Sequence, residues 1–83
     1  MRLSKYVKFR EEKFGGVLFE TRSEKVFTLN SVGTAVIREI QAARDQQEIV
    51  SRLKELFEDR DGAIERETLT FLIELRQKGL VQD

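Results

Sequence analysis

Lys25-Val26-Phe27-Thr28-Leu29-Asn30 runs from a strand straight into a helix cap. β-branched and aromatic residues dominate its first five positions, as they do in strands. Asn30 then offers a side-chain oxygen to the free N–H groups of a first helical turn. Segments before this stretch alternate with a strand's period, and segments after it repeat with a helix's. Within it, Phe27 and Leu29 share one face and are expected to point to the core. Val26 and Thr28 take the other face.

Toward the N-terminus, Tyr6-Val7-Lys8-Phe9-Arg10-Glu11 places Val7 and Phe9 on one side and Lys8 and Arg10 on the other. That is the pattern of a half-buried strand. Glu12-Lys13-Phe14-Gly15-Gly16 reads as a turn, its paired glycines supplying positive φ angles. Glycine pairs also cradle phosphate, but here no Lys-Ser/Thr pair flanks them and no helix follows, so the turn is the reading. Val17-Leu18-Phe19-Glu20 is a second strand, and Thr21-Arg22-Ser23-Glu24 is a polar loop of hairpin length. Three strands with short links predict an antiparallel meander.

Toward the C-terminus, Val36, Ile37 and Ile40 mark a first helix over residues 31–43. Gly33 in its first turn costs about 1 kcal/mol relative to alanine, and close approach of another backbone would give it a use. Asp45 and Glu48 form a near capping box for a second helix. Ile49, Val50, Leu53, Leu56 and Phe57 supply that helix with an apolar face. Asp59-Arg60-Asp61-Gly62 ends it. The pair of aspartates before a glycine resembles a calcium loop, but the remaining ligand positions do not follow and a turn is the better reading. A third helix is predicted over residues 66–78, with Glu65 and Glu67 near its positive end and Arg76 and Lys78 near its negative end. Gly79 suits the position after it, and Leu80-Val81 folds back as the accompanying apolar contact. Leu69, Leu72, Ile73 and Leu75 are joined by Phe71, which widens the stripe beyond one face. Such a helix sits centrally or offers surface to a partner.

The 83 residues contain no internal repeat and form one predicted domain spanning 1–83. The fold class is α+β, a three-stranded antiparallel N-terminal sheet followed by a three-helix cluster, β-β-β-α-α-α. Helices two and three form a winged-helix-like arrangement with the sheet as the wing. Cysteine and histidine are absent, which removes disulfides, thiolate metal sites, the commonest metal ligand and the commonest general base. No nucleophile–base pair remains, so the chain is expected to be no enzyme and to carry no cofactor or metal. No stretch reads as a signal peptide or a membrane span, which predicts a soluble cytoplasmic protein with no membrane partner. Fifteen basic residues balance 15 acidic ones, and a protein that grips phosphate backbones usually carries a basic excess.

The order and spacing of four motifs resemble the PqqD-like family. They are Phe14-Gly15-Gly16-Val17-Leu18-Phe19-Glu20, then Val26-Phe27-Thr28-Leu29-Asn30, then Ile49-Val50 with Leu53 and Phe57, and finally Phe71-Leu72 with Leu75 and Gly79-Leu80-Val81. Each is mostly core pattern; together they cover nearly the whole chain. Members of that family act as recognition elements for the precursors of ribosomally made, modified peptides. Two departures set this chain apart from members serving pyrroloquinoline quinone synthesis. A Tyr-Pro-Glu-like segment is missing, the chain having no proline, and the Asp-Gly pair after the first helix is replaced by Ala42-Ala43-Arg44-Asp45. A relative serving another peptide-modifying system is the reading these differences favour.

The resemblance implies that a leader peptide adds as a strand beside the third strand, in a groove bordered by the third helix. The expected peptide-binding residues are Lys25, Val26, Phe27, Thr28 and Leu29 on the strand, with Phe71, Leu72, Leu75 and Arg76 on the helix. Val26, Thr28 and Phe71 are the strongest candidates. The expected partners are a ribosomally synthesised precursor peptide and a radical S-adenosylmethionine (radical SAM) peptide-modifying enzyme, with no nucleic acid. Strand addition also makes dimers, so a homodimer through the third strand competes for the same edge. The alternative function is a winged-helix DNA-binding regulator, in which Glu65, Glu67 and Glu74 would face phosphates unfavourably.

Overall fold

A computed structural model describes residues 1–82 of the chain. Four strands come first: β1 (Arg2–Leu3), β2 (Val7–Glu12), β3 (Gly15–Glu20) and β4 (Lys25–Leu29). Helices α1 (Ser31–Gln41), α2 (Gln46–Leu56) and α3 (Ala63–Gln77) follow, and a short strand, β5 (Val81–Gln82), ends the described chain. β2, β3 and β4 form the expected antiparallel meander in that order. Leu18 lies opposite both Phe9 and Phe27, which puts one row of apolar side chains on the face the helices cover.

The glycine pair is packed rather than looped. The turn contracts to Lys13 and Phe14, and Gly15 and Gly16 belong to β3. Gly15 has φ +147, and a Cβ there would lie 2.1 Å from the Leu29 carbonyl oxygen. A Cβ on Gly16 would strike the Phe9 ring at 2.8 Å and the Thr34 hydroxyl at 2.9 Å. These glycines let the end of β4 and the start of α1 close onto the hairpin.

Each helix starts where a side chain satisfies its free N–H groups. Asn30 Oδ1 accepts from the Gly33 N–H at 2.8 Å. Asp45 and Glu48 complete a reciprocal capping box, at 2.8 and 3.1 Å. α3 begins three residues earlier than expected because the two aspartates serve as its caps: Asp59 accepts from the Ile64 and Glu65 amides, and Asp61 from the Ala63 amide. That is the structural use of a segment reminiscent of a calcium loop. α1 stops at Gln41, two residues short, because Ala43 takes a left-handed conformation with φ 61. Alanine there stands in for the glycine that usually ends helices this way.

The core joins Leu18 and Leu29 of the sheet to Val36, Ile37 and Ile40 of α1, Ile49 and Leu53 of α2, and Leu72 and Leu75 of α3. Two expectations need correction. Leu56 is 62% exposed, because α2 ends there and its stripe has rotated off the core. Leu80-Val81 does more than fold back: Val81 pairs with Leu3 and Gln82 with Arg2 in a second, two-stranded antiparallel sheet. Two residues are too short for a period to show, so no strand was legible at either terminus.

Candidate functional site

Hydrogen-bond phase decides what β4 offers. In an antiparallel ladder a residue's N–H and C=O point the same way, and successive residues alternate. Tyr6 and Thr21 extend the β2–β3 register, and the Thr21 N–H donates to the Tyr6 carbonyl at 2.8 Å. Odd-numbered residues of β3 therefore bond β2, leaving Gly16, Leu18 and Glu20 to bond β4. Their partners are Leu29, Phe27 and Lys25. The N–H and C=O groups of Val26 and Thr28 consequently point away from the sheet, along an edge that no described strand covers.

That edge overlooks a groove against α3. Thr28, Leu29 and Asn30 form one wall, Arg66, Glu67, Thr70, Phe71 and Glu74 the other, and Val32 and Gly33 the floor, around about 580 Å³. Nothing backbone-like crowds Gly33. A Cβ there would meet Asn30 Oδ1 at 3.4 Å and Leu29 side-chain atoms at 3.6 Å, both ordinary contacts. The close backbone approach expected of Gly33 is therefore not its role; it leaves the groove floor low.

A second hollow of about 290 Å³ lies at the Lys25 end, lined by Glu20, Arg22, Ser23, Lys25, Phe27, Lys78 and Leu80. Its loop is held by Glu20, which accepts from the Ser23 hydroxyl, the Ser23 amide at 2.7 Å and the Arg22 side chain at 3.1 Å. The Ser23 hydroxyl first, then the Ser23 amide and Arg22, hold the Glu20 carboxyl down at about 2 against the opposing effect of burial. Lys78 Nζ lies 5.9 Å from the centre of the Phe27 ring, within cation–π reach.

The expected strand residues separate by face. Val26 (59% exposed) and Thr28 lie open, Phe27 is half-buried and Leu29 is core. On α3 the helical period splits the expected set. Phe71 reaches the groove, whereas Leu72 and Leu75 share the core stripe with Thr68 at 0 and 1% exposure and present nothing to a ligand. Arg76 lines neither hollow, being turned away from the stripe formed by Glu67, Thr70, Phe71, Glu74 and Lys78. Lys78 occupies the basic position expected of Arg76. Counting three, four and seven residues from Phe71 would have found Glu67, Glu74 and Lys78 in the sequence, and Thr70 lies four before Glu74. Asn30, Val32 and Gly33 carried no such signal.

Among the described residues no group of three or more His, Cys, Asp or Glu side chains is placed to hold a metal ion. Nor is any helix among the described residues long and apolar enough to cross a membrane.

No curated protein matches the chain. Among solved structures, one described as TbiB1 in complex with the TbiA(beta) leader peptide superposes with a TM-score of 0.84 at 23% identity, covering 100% of both chains. Another, a lasso peptide synthetase B1 complexed with the leader peptide, gives 0.81 at 18% identity over 99% of this chain and 96% of that one. At these identities the likeness establishes the fold. The profile of coenzyme PQQ synthesis protein D (PqqD) matches residues 15–81, from the packed glycines to the strand after α3. The chain belongs to the PqqD family.

Proposed function

We propose that this protein binds the leader segment of a ribosomally synthesised precursor peptide by strand addition to β4. It has no chemistry of its own and hands the precursor to a peptide-modifying enzyme, by family analogy a radical SAM maturase. The observation that carries this reading is the outward row of Val26 and Thr28 backbone groups above the α3 groove. An added strand would satisfy that row, with side-chain pockets supplying specificity. Both fold relatives were captured with a leader peptide, which supports the same ligand class here. On the strand, the contact residues are the backbone of Val26 and Thr28 and the flanks of Lys25, Phe27 and Leu29. Phe71 is the apolar contact on α3.

Titration of isotope-labelled protein with the leader of the precursor encoded nearest its gene tests the proposal. Saturable shifts confined to β4 and to the groove stripe of α3 are expected, and absence of saturable binding would refute it. Sedimentation of the free protein tests whether a second copy occupies the edge. A monomer that binds leader is expected; a β4-to-β4 dimer that excludes leader would replace the reading. Titration of random duplex DNA across a salt series addresses the regulator alternative, which requires tight, strongly salt-dependent binding.

A further inference from the structure

The inference here rests on the peptide-binding reading of the β4 edge and concerns which peptides that edge accepts. Every pairing in the three-stranded sheet is antiparallel. A strand added in the same sense enters beside Leu29 and leaves beside Lys25. Because Val26 and Thr28 make the outward bonds, each added residue shares the facing of the β4 residue opposite it. Those opposite Leu29, Phe27 and Lys25 turn toward α3, and the two between them turn away.

The two ends of the groove differ in charge. Near Leu29, Glu67 stands beside Arg66, while Glu74 lies past Phe71, one helical turn before Lys78. Near Lys25 cations are in excess. The one carboxylate there, Glu20, is already engaged by Ser23 and Arg22, whereas Lys25 and Lys78 have no ion-pair partner among the described residues. Phe71 and Phe27 lie along the path between the ends. The groove is therefore apolar in the middle, charge-balanced where an antiparallel peptide enters and basic where it leaves.

We propose that the site selects its leader by charge order. From the peptide's N-terminus, alternate positions carry apolar residues opposite Leu29 and Phe27 and an acidic residue opposite Lys25. A basic residue opposite Lys25 places like charges together at that end, which opposes binding and suppresses wrong partners.

The test uses three synthetic peptides with the same alternating apolar frame, titrated into the isotope-labelled chain. One carries the basic residue first and the acidic residue last, one has the two exchanged, and one has neither charge. The first is expected to bind about fivefold more tightly than the second at low salt, from exposed ion pairing against repulsion at the Lys25 end. All three are expected to shift the Val26 and Thr28 amides. The double substitution Lys25→Glu with Lys78→Glu, both at exposed positions, should invert the preference. Equal affinities, or a preference untouched by the double substitution, would overturn the charge order while shifts at Val26 and Thr28 upheld strand addition. Tighter binding of the exchanged peptide would mean parallel addition and would overturn the order as stated. If no peptide shifts those amides, the peptide-binding reading falls and takes this inference with it.

Discussion

The sheet has two edges, β2 and β4, and they are finished in opposite ways. By the same hydrogen-bond phase, Val7, Phe9 and Glu11 point their backbone groups outward from β2. The Val7 N–H is already taken by the Ser4 carbonyl at 3.0 Å, and Glu11 is clamped by Arg38 of α1 through two bonds of 2.6 and 2.9 Å. Lys8, Arg10, Glu11 and Glu12 charge this strand along its length. β4 carries one charge, Lys25, at its start, and its centre is Val26-Phe27-Thr28. Charge and chain coverage are how proteins discourage pairing at an exposed edge. Protection on one side and its absence on the other are what the proposed strand addition at β4 requires.

Proline substitutions break this comparison most sharply. Phe27→Pro removes an N–H that bonds β3 and a half-buried ring, so it should cost on the order of 3 kcal/mol in chemical unfolding. Thr28→Pro, one residue along, removes an outward N–H and should fold normally. Its cost should appear instead in leader binding, as about a tenfold loss from one missing bond and the bulk of the ring on the edge. If Thr28→Pro unfolds the protein and Phe27→Pro does not, the phase assigned to β4 is wrong by one residue.

Acid should loosen the start of β4. Glu20 is depressed from 4.5 to about 2 in the folded state, so across that interval the unfolded chain binds more protons. Its contribution to stability is complete above pH 4.5 and disappears as pH falls toward 2. Stability of Glu20→Gln should be lower at neutral pH and less dependent on pH in this window, measured by thermal melts at a series of pH values. An unchanged slope would show that the loop does not depend on this carboxylate.

The smallest effect is expected on the protected edge. Glu11→Val removes the Arg38 clamp and one edge charge. Leader affinity should not change, because β2 lies across the sheet from the groove. Self-association at high concentration should rise, measured by light scattering. A loss of leader affinity would show that the two edges are not independent.

The fold was largely legible in the linear chain because its signals are local. Alternation in residues 6–11, the Asn30 and Asp45 caps and the spacing of Ile49, Leu53, Leu72 and Leu75 each arise from neighbours within a turn or a strand. Errors came where a distant group decides. Gly15 and Gly16 look like turn residues until Leu29, Phe9 and Thr34 are seen packed against them. Asp59 and Asp61 look like the end of one helix because their acceptors' partners belong to the next. The site was legible as a strand and a helix, but not as a set of side chains. The linear chain assigns Phe71, Leu72, Leu75 and Arg76 to the groove; the rotation of α3 keeps Phe71 there and brings Glu74 and Lys78 to the groove and its neighbouring hollow instead of the other three.

Lys25 to Asn30 by itself determined that a strand ends in a helix cap, with Phe27 and Leu29 inward and Val26 and Thr28 outward, since side-chain direction follows from period two. Only the tertiary structure decided that the backbone of Val26 and Thr28 has no strand partner among the described residues. Backbone polarity alternates in phase with the side chains, but which phase faces a neighbour depends on where β3 lies. That position is set by packing between residues far apart in the chain.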